Sequence, residues 1–222
     1  MSDELVLSES MQLLVAGHET SSNALSWVLY LLSTHPDCLE RVRQEFHSVL
    51  GDGPLSFGDV PRFEFATQVI LEALRLYPPF WMIDRMAVGD DRIGDLDIRR
   101  GSTVIVFVHG AHHAQRSWPN PESFDPERFA KVNEKLHTPF THLPFGAGPR
   151  GCIGGNYAML QILMILSELL RRYDLQLTPG QTIEPRPMVI LRPKHGIRMT
   201  FTKTIAFDAG FAKMPPVGIG HE

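Results

Sequence analysis

The sequence predicts a mainly α protein with small β-sheets, an α+β arrangement, and three observations carry that prediction. Apolar residues recur at helical spacing over residues 5–34, 36–50, 62–76 and 153–173. Between these stretches lie only short β-type runs, each bounded by glycine or proline. The remainder, residues 118–145, is rich in proline and polar residues and has no periodicity.

The first stretch ends at His35-Pro36, because proline disfavours helical backbone before it. Leu13, Leu14, Val15, Leu25, Trp27, Val28 and Leu31 leave it apolar on most sides, which predicts a buried central helix. The second starts at Pro36, presents Glu40, Arg41, Arg43 and Glu45 as a wet face, and breaks at Gly51-Asp-Gly-Pro54. The third stops at Pro78-Pro79. Strands are expected over 81–87, 95–98 and 103–108, around turns at Gly89 and Gly101. Residues 175–177 and 188–201 are expected to form a terminal hairpin. Residues 206–222 are rich in Gly, Pro and Ala and read as a flexible tail. No internal repeat is present.

The most informative segment is Phe145-Gly-Ala-Gly-Pro-Arg150-Gly-Cys152-Ile-Gly154. Cys152 ends a glycine-rich loop where a helix is predicted to begin. Free N–H groups and the partial positive charge of a helix N-terminus favour thiolate over thiol. Glycines at 146, 148, 151 and 154 let the backbone bend and lie close to something flat. Arg150 supplies a fixed cation for an acidic group on the same bound object. Thiolate, flat partner and acidic groups together point to haem iron ligated by cysteine. Two plainer readings compete. Gly146, Gly148 and Gly151 also spell a dinucleotide fingerprint, but residues 141–144 make a poor strand, and Glu168 lies inside the helical run rather than at a strand end. A buried structural cysteine is the usual fate of a lone one, and Cys38, with no glycine loop beside it, fits that description better.

The segment resembles the haem-binding loop of the cytochrome P450 family, Phe-x-x-Gly-x-Arg-x-Cys-x-Gly, and Phe145, Gly148, Arg150, Cys152 and Gly154 fill its fixed positions. Three further signatures of that family precede the loop, in the family's order. Ala16-Gly-His-Glu19-Thr20-Ser21 resembles the oxygen-binding groove, with Ser21 where threonine is common. There the resemblance implies Ala16 and Gly17 against the cofactor, and Glu19 and Thr20 as an acid and an alcohol relaying protons to oxygen. Read alone, the hexamer is a tolerated helix glycine beside ordinary polar groups. Glu72-Ala-Leu-Arg75 and Pro126-Glu-Arg128-Phe129 match the other two, and imply a structural lock of Glu72, Arg75 and Arg128. Taken alone, the first of these reads most often as a surface ion pair, while its apolar neighbours Val69, Ile70, Leu71, Leu74 and Leu76 favour burial with a further partner such as Arg128.

By the same resemblance, Cys152 holds haem b iron, Phe145, Gly146 and Gly154 cradle the haem, and Arg150, Arg85 and His112 bind its carboxylates. A solvent-exposed loop histidine is the plain alternative for His112, and zinc lacks a second cysteine or paired histidine spacing. Phe80, Trp81, Met82, Ile83, Met188 and Val189 correspond to substrate-facing segments, with simple core packing equally open. The resemblance implies a C-terminal haem-binding portion over residues 1–203, from the long central helix to the C-terminal hairpin, and a flexible tail over 204–222. It also implies a comparable N-terminal half, absent from this chain, that supplies further haem contacts and most of the substrate lid. The expected function is a haem-thiolate monooxygenase acting on an apolar small molecule. A ferredoxin or flavoprotein reductase would supply electrons from outside. The alternative is a haem-binding fragment, or a haem-free interaction remnant, without monooxygenase activity of its own.

Composition suits one or two soluble domains. The chain has 222 residues, 43% hydrophobic and 21% charged, enough to build a core. The formal charge of −4 and the lack of basic runs argue against nucleic acid. Two distant cysteines give no disulfide framework and fit a reducing compartment. No run is long enough to span a bilayer and the start is acidic, so a soluble cytoplasmic setting is expected; an anchor upstream would change that.

Overall fold

The structure, a computed structural model, describes residues 1–136 and 138–204. The expected tail beyond residue 204 lies outside the described residues. Ser2 starts the first helix, α1 (Asp3–Thr34), by accepting the Leu5 amide on its hydroxyl at 3.3 Å. Asp3 and Glu4 in the first turn complement the helix dipole. His35 ends α1, and Pro36 opens α2 (Pro36–Leu50), which stops at Gly51 with φ of 53°. After a 3-10 turn (Phe57–Arg62) comes α3 (Glu64–Leu76). Its free N-terminal amides are satisfied from another helix: the Glu45 carboxylate on α2 accepts from the Phe65 and Ala66 amides, each at 2.8 Å.

A short helix, α4 (Val108–His112), and a long one, α5 (Gly155–Arg172), complete the helical set among the described residues. The core lies where α1, α2, α3 and α5 meet, with Val28, Leu32, Val42, Phe46, Ala66, Val69, Ile70 and Leu166 fully buried. Eight short strands pair into four antiparallel ribbons among the described residues. Ile83–Met86 (β1) pairs with Thr103–Val106 (β4), and Asp91–Ile93 (β2) with Leu96–Ile98 (β3). Tyr173–Leu177 (β5) pairs with Met199–Lys203 (β8), and Pro185–Pro187 (β6) with Leu191–Pro193 (β7). The mainly helical α+β class is as expected.

Three details differ from expectation. α1 is buried only from Ser21 onward: Leu5, Leu13, Leu14 and Val15 are 47–67% exposed, because α2, α3 and α5 pack against its C-terminal half. The single strand expected over 188–201 is broken into β7 and β8. Pro193 can donate nothing to a ladder and Gly196 turns the chain with φ of 71°. β2, β6 and α4 lie outside the expected elements, being too short for periodicity to reveal.

Candidate functional site

The cysteine loop is shaped by backbone that only glycine adopts easily. Gly146 and Gly148 have φ of 69° and 70°, in the left-handed region. The fold-back is held by the Cys152 amide donating to the Phe145 carbonyl at 2.8 Å, and by Gly151 donating to Gly148 at 3.0 Å. Phe145 lies so close to the start of α5 that a Cβ on Gly155 would meet its ring at 3.3 Å. Gly154 flanks α5, which begins at Gly155 and not at Ile153 as the sequence predicts, so Cys152 ends the loop just ahead of the helix. Its thiol is exposed.

That loop forms one wall of an open cavity of about 770 Å³. α1 forms the facing wall through Leu13, Ala16, Gly17, Thr20, Ser21 and Ala24. At about 100° per residue these positions occupy one arc of the helix. A Cβ placed on Gly17 would meet nothing within 4 Å. Gly17→Ala is therefore expected to stabilise the chain by about 1 kcal/mol through helix propensity, read from the urea midpoint. The third wall is the strap Pro79, Phe80, Met82, Ile83, Asp84 and Arg85, which runs into β1.

Arg150 and Arg85 both reach the cavity and both are exposed. Neither pairs with an acidic side chain among the described residues; Arg85 donates to the Asp84 carbonyl at 2.7 Å. An exposed thiol, two unneutralised cations, a bare glycine wall and an apolar strap match the needs of a flat apolar group carrying carboxylates, so the residues present fit haem. Among the described residues no three His, Cys, Asp or Glu side chains group as a metal site of their own. The Thr20 hydroxyl donates to the Ala16 carbonyl at 2.7 Å, and Thr20 is among the residues that line the cavity.

Five residues singled out from the sequence are not brought to the cavity. Glu19 lies about 60° outside the arc, beyond Ala16, and is exposed. Trp81, Met188 and Val189 also lie off the lining; the Trp81 indole donates to the Met188 carbonyl at 2.8 Å. His112 is the largest correction. It is fully buried, neither a solvent-facing loop histidine nor a carboxylate ligand. Its Nδ1 donates to the Arg75 carbonyl at 3.1 Å and its Nε2 accepts the Leu143 amide at 2.8 Å, so both nitrogens are committed. Burial, more than the nearby charges of Arg75, His113 and His109, pushes its pKa down to about 4.

This depression has a sign. Between about pH 6.5 and 4 the unfolded chain binds a proton that folded His112 refuses, so stability falls as pH falls through that window. The full loss is on the order of 3 kcal/mol. His112→Gln is expected to flatten this part of the acid dependence, measured as the urea midpoint at pH 7 against pH 4.5.

Behind the cavity, Glu72 and Arg75 on α3 are both fully buried. Arg75 grips the Glu72 carboxylate in bidentate fashion at 2.7 and 2.8 Å, and donates to the His112 carbonyl at 2.8 Å. Arg128 reaches Glu72 at 3.3 Å, and the Asp125 amide donates to the same oxygen at 3.0 Å. Sequence reasoning missed Leu13, Leu74 and Tyr157 as lining residues. Leu13 was legible as the residue one helical turn before Ala16 and Gly17; Tyr157 and Leu74 carried no local signal.

The family model for cytochrome P450 matches residues 1–201. The chain is 35% identical over 194 residues to cytochrome P450 132 of Mycobacterium tuberculosis, covering 87% of this chain and 42% of that protein. It is 34% identical to cytochrome P450 3A2 of Rattus norvegicus, covering 86% of this chain and 40% of that one. It is 35% identical to thromboxane-A synthase of Mus musculus, covering 88% of this chain and 37% of that one. The chain thus spans about two fifths of the length of these relatives. Among the described residues no helix is long and apolar enough to cross a membrane.

Proposed function

The chain belongs to the cytochrome P450 family, and from that premise we propose that residues 1–203 are the haem-thiolate portion of a monooxygenase. The observation that carries the proposal is the cavity that puts Cys152, Arg150 and Arg85 on walls facing the bare Ala16–Gly17 stretch of α1. Cys152 would hold the iron through its thiolate, and Arg150 and Arg85 would pair with the haem carboxylates. Bound in this way, haem supplies activation of dioxygen and transfer of one oxygen atom to an apolar C–H or C=C bond.

The chain's own residues set the conditions for that chemistry. Phe80, Met82 and Ile83 offer an apolar wall that dehydrates a small substrate and orients it. Thr20 keeps a proton at Oγ1 beside the bare wall, and its hydroxyl rotates from the Ala16 carbonyl toward the cavity when an acceptor is there. Glu19, outside the arc, has no part in this proposal. Electrons would come from a ferredoxin or a flavoprotein reductase meeting the exposed cysteine loop. The exposed apolar half of α1 favours a second reading, a haem-binding or interaction segment that works only when that face is covered.

The test is spectroscopic. The purified chain is titrated with haem, reduced and exposed to carbon monoxide. A strongly red-shifted Soret band is expected. No uptake, or a spectrum of histidine or thiol ligation, would remove the proposal. Gly17→Phe, which fills the bare wall, is expected to abolish uptake.

A further inference from the structure

The strap that lines the cavity is fixed in place by residues that do not touch the cavity. Leu191, at the start of β7, donates its amide to the Pro79 carbonyl at 2.8 Å. Its own carbonyl accepts from the Asn23 side-chain amide at 2.7 Å and from the Trp27 indole at 3.4 Å. Asn23 and Trp27 are i, i+4 on α1, so one face of that helix presents both donors to one carbonyl. Trp27 also stacks on Tyr77, with ring centroids 3.8 Å apart and planes 9° from parallel. Tyr77 is followed by Pro78 and Pro79, which closes the circuit: α1 to Leu191, Leu191 to Pro79, Pro79 through Tyr77 back to α1.

Asn23 is 8% exposed and Trp27 is 1% exposed, and a polar amide placed so deep calls for a partner. Asn23 finds it 168 residues away in sequence. Thr20 and Ala24, one turn before and one residue after Asn23, line the cavity. The circuit therefore ties the helix wall and the strap wall together at one point. We infer that Asn23 is a positioning residue. Acting through Leu191, it sets the distance between α1 and the Pro79–Ile83 strap, and so decides how bulky an apolar ligand the cavity admits. In its ligand-binding consequence this rests on the haem-thiolate reading; in its mechanical content it does not.

The shorter bond of the pair comes from Asn23, so its loss should loosen Leu191 more than any general loss of stability does. Asn23→Leu keeps the size and removes the donor; Asn23→Ala is the second variant. Leu170→Ala, in the core on α5, serves as a control for destabilisation alone. The first readout is hydrogen exchange of the Leu191 amide, which needs no haem. It is expected to speed up at least threefold more, roughly, in the Asn23 variants than in the control once each is corrected for its measured stability.

The second readout is the affinity of the haem-loaded chain for 1-phenylimidazole relative to imidazole. Both bind ferric haem through the same type of nitrogen and differ by an apolar ring. The ratio is expected to shift about threefold or more in the Asn23 variants and to stay constant in the control. Leu191 exchange that follows global stability alone would overturn the inference, as would an unchanged ligand ratio. If the parent chain takes up no haem, the monooxygenase reading fails, and the exchange measurement decides the positioning role by itself.

Discussion

Cys152→Ala is expected to abolish the thiolate spectrum of the haem-loaded chain completely. No other described residue offers a soft anionic ligand to this cavity: Cys38 does not line it, and burial holds the Cys38 thiol above its usual pKa. The variant should still fold, because the Cys152 side chain is exposed and the loop is held by its backbone amide, which alanine retains. Haem that still binds, through Arg85, Arg150 and the apolar walls, should give a Soret band in the position typical of water or histidine ligation. A thiolate band that survives the substitution would overturn the assignment of Cys152. Arg150→Ala separates the two roles: it should weaken haem uptake while leaving the band position unchanged.

Arg75→Ala is expected to cost about 3–5 kcal/mol of stability, and Glu72→Ala a similar amount. Each leaves a partner charge in a site with no solvent access: the Glu72 carboxylate would keep only Arg128 and the Asp125 amide. Arg75→Ala would also strip the donor from the carbonyl of His112, the residue whose ring accepts the Leu143 amide just before the cysteine loop. Urea unfolding at pH 7 reads the loss, and the double variant should lose much less than the sum of the two singles. A loss below about 1 kcal/mol for either single variant would mean the pair is no more than a surface contact. Both substitutions lie away from the cavity lining, so any haem that binds should retain its thiolate signature.

The two effects act on different links of one chain of causes. The buried cluster of Glu72, Arg75, Arg128 and His112 decides whether the strand, helix and loop segments assemble. On the proposed function, Cys152 decides only how haem held by the assembled cavity is ligated. His112 belongs to the first group although resemblance placed it in the second. The partner of each ring nitrogen depends on Arg75 and Leu143, which are 37 and 31 residues away and which no local pattern around position 112 names.

Local chemistry along the chain determined a good deal. Prolines at 36 and 78–79 and the glycine at 51 set helix ends that the structure reproduces within a residue or two, because these residues act on their own backbone wherever they sit. The cysteine loop was legible because its shape depends at Gly146 and Gly148 on φ angles that only glycine adopts cheaply. Tertiary structure decided the rest. It chose which half of α1 is buried, since periodicity marks an apolar face but not whether another helix covers it. It excluded Glu19 from the cavity by helix phase, and it joined Asn23 to Leu191 across most of the chain. Hydrogen bonds and packing act over ångströms in space, and no local pattern records which distant residue the fold will bring within that reach.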